Sequence, residues 1–219
     1  MMSEQPTLSN RRLDPLLGLL QAYQGPGVFN QYRDSDLDLE RPGGAAIRRR
    51  NLRRYLQAFS SASYILVGEA AGYAGCRFSG MPFTGEAQIV GPDCLPWARG
   101  LGFEQSSVGE LWRERSGDMV WAAFDGRLDC VLWNTFPWHP YADKPLSNRK
   151  PTRAEVEQAT EVLRCFLALY PQAEVHAIGR VSEETLARLG VRAPYIRHPS
   201  HGGKTLFTRG VQALPRLDL

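Results

Sequence analysis

The chain is short of lysine: of its 26 basic residues only Lys144, Lys150 and Lys204 are lysines, the rest being arginine. Arginine forks onto phosphate through paired hydrogen bonds, although an arginine-favouring codon bias yields the same excess. Long apolar runs are missing, since nothing nears the roughly 18 residues that begin to suggest a membrane span. The segment MMSEQPTLSN lacks the charged-then-apolar layout of a secretory leader, so a soluble, cytoplasmic protein with no membrane partner is expected. Cysteine is scarce and scattered: Cys76, Cys94, Cys130 and Cys165 form no C-x-x-C and no ladder with histidine at zinc spacing. Reduced, mostly buried thiols follow. The stretch GEAAGYAG from Gly68 is neither G-x-G-x-x-G nor G-x-x-x-x-G-K-[ST], which argues against a dinucleotide or P-loop cradle. His198 and His201 make an H-x-x-H pair with no third or fourth ligand in view, so neither a metal nor another cofactor is expected.

What is present suits one globular domain over residues 1–219, with 43% hydrophobic residues, 22% charged residues and a mild net charge of +3. Four short, non-alternating apolar runs stand out: Tyr64 to Val67, Cys130 to Trp133, Val175 to Ile178, and Tyr195 with Ile196. Such runs suit a parallel sheet covered on both faces. Helical stripes lie between them. Val156, Ala159, Leu163, Phe166 and Tyr170 share one face, and Thr152 with Glu155 forms a T-x-x-E capping box at its start. Ser182 is placed to cap a shorter helix ended by Gly190. In the N-terminal helical region, 1–60, Leu52, Tyr55, Leu56 and Phe59 alternate with Arg48, Arg49, Arg50, Arg53 and Arg54. That pattern predicts an amphipathic helix with a basic outer face, by default simply solvated. DSDLDLE, residues 34 to 40, reads as an exposed connection, and Met119 to Phe124 as an edge strand or a buried loop.

Strands alternating with helices imply an α/β fold whose ligands gather at the carboxyl ends of the strands. Those ends deliver Glu69, Asn134 and His198 to one edge, and the glycines after the first strand would let a flat ligand approach the backbone, with Phe83 as an aromatic platform.

Four blocks then agree in order across residues 62 to 206. GEAAG with the later GMPFTG resembles the first motif of the uracil-DNA glycosylase superfamily, closest to its iron-sulfur branch. SNRKPTRAEVEQA from Ser147, VHAIGRVSEETLARLG from Val175 and HPS from His198 are similar to later blocks of that branch. The resemblance implies a three-layer α/β/α sandwich around a central four-stranded, mainly parallel sheet. It implies a monomeric enzyme of base excision repair that flips a uracil or another deaminated base out of damaged DNA and hydrolyses its N-glycosidic bond. The branch's close N-terminal cysteine pair is absent, so no cluster is expected. Where the classical enzymes carry a water-orienting Asp and a thymine-excluding Tyr, this chain has Ala70 and Gly72, and the branch's alternative acid falls at about Gly75.

On that basis Phe83 stacks on the base or is a core residue beneath the loop, and Asn134 reads the base edge or only ties down a turn. Ala70 and Gly72 line the base. His198 donates to the base oxygen as negative charge builds there. Glu69 orients water or steadies the cationic sugar, as carboxylates do in other glycoside chemistry, or caps the following turn. With the family's acid missing, backbone carbonyls near Ala70 and Ala71 are candidates to hold the water. Trp138 and His139 are candidates for the pocket wall. Ser200, His201, Gly202 and Lys204 form the DNA-facing loop, with His201 in the place of the usual apolar plug and Ser200 and Lys204 as phosphate contacts. Two other readings stay open: a DNA-lesion-binding protein without chemistry on the same fold, and a hydrolase of small nucleotides, which the missing phosphate motif disfavours.

Overall fold

The computed structural model describes residues 8–216, so the leader-free reading of the first residues lies largely outside the described residues. In chain order the elements are α1 (Asn10–Ala22), β1 (Val28–Phe29), α2 (Gly44–Ala58), β2 (Tyr64–Ala70), α3 (Cys76–Ser79), α4 (Arg115–Phe124), β3 (Cys130–Phe136) and β4 (His139–Pro140). They continue with α5 (Arg153–Gln158), α6 (Thr160–Leu167), β5 (Glu174–Ile178), α7 (Arg180–Arg188), β6 (Tyr195–Ile196) and α8 (Lys204–Gln212). The four apolar runs are the four strands of the main sheet, ordered β3-β2-β5-β6 and parallel throughout. β1 and β4 pair separately as a short antiparallel ribbon.

All seven residues of β3 and the first five of β2 are buried, as a sheet covered on both faces requires. One layer is α5, α6 and α7, where Trp133 stacks on Phe166 with ring centres 4.1 Å apart. The other holds α2, α4 and α8, with Phe59, Trp97, Trp121 and Phe124 interlocking beneath them. The protein is therefore a three-layer α/β/α sandwich. The free edge of β3 is capped at its middle by one hydroxyl: Tyr55 Oη accepts the Leu132 N–H at 2.7 Å and donates to the Leu132 carbonyl at 3.3 Å. Both outward ladder groups of Leu132 are thus satisfied.

Local signals mostly held where chemistry was specific. The capping box forms, with Glu155 N–H donating to Thr152 Oγ1 at 3.2 Å and Thr152 N–H to Glu155 Oε2 at 2.6 Å. The helix it starts breaks once, at Ala159, into α5 and α6. Gly190, at φ +72°, ends α7 with Gly190 N–H bonded to the Ala187 carbonyl and Val191 N–H to the Leu186 carbonyl. The start of α7 differs from expectation: Gly179 occupies the cap and Ser182 lies inside the helix, buried with its hydroxyl unbonded.

Three other expectations change. Met119 to Phe124 belongs to helix α4, whose Gly117, Val120, Trp121 and Phe124 recur at helical spacing and turn inward. The arginines of α2 do not form a free basic face. Arg48 is fully buried, bonded to the Gln31 and Asp34 carbonyls and paired with Glu40 at 2.9 Å. Arg50 and Arg54 share Glu104, Arg53 takes Asp14, and Arg49 donates to the Tyr32 carbonyl. A fixed cation near apolar surface finds acceptors within the fold, which a helical wheel cannot show. For the same reason the 34–40 segment is only partly exposed: Leu37 is open, whereas Glu40 is buried between Arg48 and Arg77. All four cysteines are free, three of them buried.

Candidate functional site

At the carboxyl end of β2 the register sets Gly68 beside Asn134 of β3. Alternation along the strands puts both on the α4 side of the sheet. The Phe83 ring lies on Gly68 so closely that a Cβ there would stand 2.5 Å from Phe83 Cε2 and 2.8 Å from Asn134 Oδ1. Only glycine leaves that room. Phe83 itself holds φ at +51°, a left-handed conformation that a bulky aromatic adopts only when its surroundings enforce it, at a cost of about 1–3 kcal/mol.

The enforcing groups are identifiable. Ser79 Oγ accepts from Met81 N–H and donates to the Thr84 carbonyl, Trp121 Nε1 donates to Thr84 Oγ1, and Gly117 of α4 packs directly on the Phe83 carbonyl. Asn134 is 1% exposed, its Oδ1 is sealed from solvent, and its side chain forms no hydrogen bond. It ties down no turn. An unpaired buried amide costs about 1–3 kcal/mol, and groups left in that state in native folds call for an explanation such as a ligand.

His198 follows β6 and closes the third side, its ring centre 6.1 Å from that of Phe83 and its Cβ packed 3.6 Å from the Cβ position of Gly179. Its Nδ1 accepts the Ser200 N–H at 3.2 Å. A ring nitrogen that accepts carries no proton, so the neutral ring bears its hydrogen on Nε2. Burial, with Arg197 and His201 adding to it, lowers the His198 pKa to about 4. The group is a neutral hydrogen-bond donor at physiological pH.

The turn behind it is tight, because a Cβ on Gly203 would strike the His198 carbonyl. His201 (φ +52°) and Gly202 (φ +74°) make its exposed tip. Ser200 is half-buried and Lys204 exposed. Two exposed residues to which the sequence reading gave no role lie at this loop: Leu206, 56% exposed on the first turn of α8, and Arg180, stacked 4.3 Å over Tyr195.

Glu69 stands apart from this cluster. Alternation sends its side chain to the sheet face opposite Gly68, towards Lys150. Burial raises its pKa while Lys150 opposes the rise, and its carboxylate accepts no hydrogen bond from the turn, so the capping role is not realised. Lys150 at this rim is a cation that motif reading passed over. Ala70 shares the face of Gly68.

The space beside Gly72 is not open. A Cβ on Gly72 would lie 2.9 Å from Glu114 Oε2, and one on Gly75 would overlap the same oxygen. That space is filled by a carboxylate from the loop before α4. The Ala71 carbonyl, a candidate water holder, is occupied by His139 Nδ1 at 3.1 Å, while His139 Nε2 meets the Pro145 carbonyl at 3.0 Å. His139 therefore braces the turn from behind. Trp138 does not wall the pocket: it stacks on Tyr23 at 4.0 Å and donates to the Leu20 carbonyl, inside the α1 packing.

The three-layer sandwich is a uracil-DNA glycosylase-like fold. It is similar to the crystal structure of wild-type SMUG2 from Pedobacter heparinus, with a TM-score of 0.61 over 92% of this chain and 96% of that one, at 15% sequence identity. No family model and no curated protein matches the sequence. Among the described residues no helix is long and apolar enough to cross a membrane, and no three His, Cys, Asp or Glu side chains group as a metal site would need.

Proposed function

We propose that the protein is a monofunctional DNA glycosylase that extrudes uracil or another deaminated base from damaged DNA, as a monomer, and hydrolyses its N-glycosidic bond. One observation carries the reading: an aromatic ring held in a strained backbone, an unpaired buried amide and a neutral histidine donor stand together at the carboxyl ends of the strands, the ring neighbouring both other groups. Cleaving C1′–N leaves positive charge on the sugar and negative charge on the departing base. Phe83 would stack on the flipped base, worth about 1–3 kcal/mol. The Asn134 amide supplies an acceptor and a donor to the N–H beside C=O that uracil, hypoxanthine and xanthine share. His198 Nε2–H would donate to the base oxygen as charge accumulates. A preset donor of this kind costs no reorganisation at the moment of reaction and is worth about 10²–10³-fold in rate. The loop of Ser200, His201, Gly202 and Lys204 would meet the backbone, with Arg180 and Lys150 at the rim.

The test is base release from labelled oligonucleotides carrying uracil, hypoxanthine, xanthine or a G:T mismatch, single- and double-stranded, with chelator present, comparing wild type with His198→Ala. Alkali-sensitive breaks at one base, lost in the variant, are expected. The second reading, a lesion-binding protein without chemistry, is favoured by Ala70, which brings no acid to the pocket face. It predicts retained lesion binding with no release from any of these substrates.

A further inference from the structure

Hydrolysis at C1′ needs a group that takes a proton from water, and Glu69 faces away from Phe83 and Asn134 while Ala70 carries none. Building on the glycosylase reading, we propose that Glu114 is the carboxylate that activates the hydrolytic water. Its position rests on four contacts. The Glu114 backbone N–H packs on Gly85, where a Cβ would lie 2.6 Å away, so the residue is anchored two positions from Phe83. Its carbonyl accepts from Gln88 Nε2 at 3.2 Å. Its carboxylate then reaches across to the turn after β2 and fills the hollow left by the missing side chains of Gly72 and Gly75.

The residue therefore links Gly85, on the loop that carries Phe83, to the turn that follows the central strand. Ser116 Oγ donates to Oε1 at 2.5 Å, the Ser116 backbone N–H also bonds the carboxylate, and Oε2 is the oxygen set against the glycines. Two glycines in one turn that both clear space for one acid distant in sequence are a built cradle. Burial also raises the pKa of Glu114, against the pull of Ser116, which makes it a stronger base than an exposed glutamate.

In the step, Glu114 takes a proton from water as the water oxygen bonds to C1′. The C1′–N bond breaks, its electron pair going onto the base, whose oxygen accepts from His198 Nε2–H. The base anion then takes a proton from solvent, and Glu114 returns its own to solvent.

The experiment is single-turnover release of the preferred base, with enzyme in excess, for wild type, Glu114→Gln, Glu114→Ala and Glu69→Gln, alongside lesion-DNA affinity and melting temperature. Glu114→Gln is expected to lose about 10²–10⁴ in rate with affinity within a few-fold of wild type, Glu69→Gln to stay within a few-fold in rate, and added formate to restore part of the Glu114→Ala rate. Wild-type release by Glu114→Gln, or a loss that matches lost binding or melting and resists formate, overturns the assignment. A greater loss in Glu69→Gln moves the role to Glu69 and overturns it equally. Absence of release in the wild type sinks the glycosylase reading itself, and this assignment with it.

Discussion

The protonation of His198 is the point where geometry and titration can be tested against each other. Its Nδ1 accepts from the Ser200 N–H, and burial beside Arg197 and His201 lowers its pKa from the ordinary value near 6.5 to about 4. The unfolded chain thus binds a proton between pH 6.5 and pH 4 that the folded chain refuses. This contribution to stability is complete above pH 6.5 and is lost progressively as the pH falls towards 4, below which both states are protonated. One pKa unit corresponds to about 1.36 kcal/mol, so the full span is worth roughly 3 kcal/mol, and about 2 once partial solvent access is allowed for. Because His139 and His176 are also depressed by burial, the difference between wild type and His198→Asn isolates this residue. Urea unfolding at pH 7.5 and pH 4.5 should show the stability gap between the two proteins change by about 2 kcal/mol, with wild type losing more. An NMR titration of the His198 ring should give a midpoint near 4. A midpoint at or above 6, or base release that climbs as the pH falls through 6.5, would refute donation by a neutral ring.

Other substitutions follow from the packing. Gly68→Ala adds a carbon 2.5 Å from Phe83 Cε2 against a ring whose backbone cannot yield, so a loss of about 1–3 kcal/mol in melting experiments should accompany loss of base release. Asn134→Leu removes an amide that pays its desolvation unpaired, so stability should hold or rise by up to about 1 kcal/mol while release collapses; a large destabilisation would show that the amide is bonded within the fold. Tyr55→Phe strips both partners from Leu132 on the β3 edge and should cost about 1–3 kcal/mol by urea unfolding with base release intact.

Reading residues in order was sufficient wherever neighbours within a few positions decide conformation. The four strands, the Thr152–Glu155 box and the Gly190 stop all rest on local chemistry, and each stands where the sequence indicates. Asn134 and His198 were expected at one edge because strand ends in a parallel sheet share it, whereas Phe83 was expected there from the block GMPFTG. Burial and pairing, in contrast, depend on what the rest of the chain brings across. The arginines of α2 look solvated on a wheel, yet Arg48 is sealed by Gln31, Asp34 and Glu40 from another segment. Glu69 reads as a site carboxylate because it adjoins Gly68, and strand alternation turns it to the other face. Gly72 and Gly75 read only as places where the family's side chains are missing, and Glu114, distant in sequence, fills the room they leave. The sequence determined which groups stand at the strand ends. Only the tertiary structure decided which of them face one another, because a side chain's direction and its solvent are set by packing between elements that the order of residues leaves unpaired.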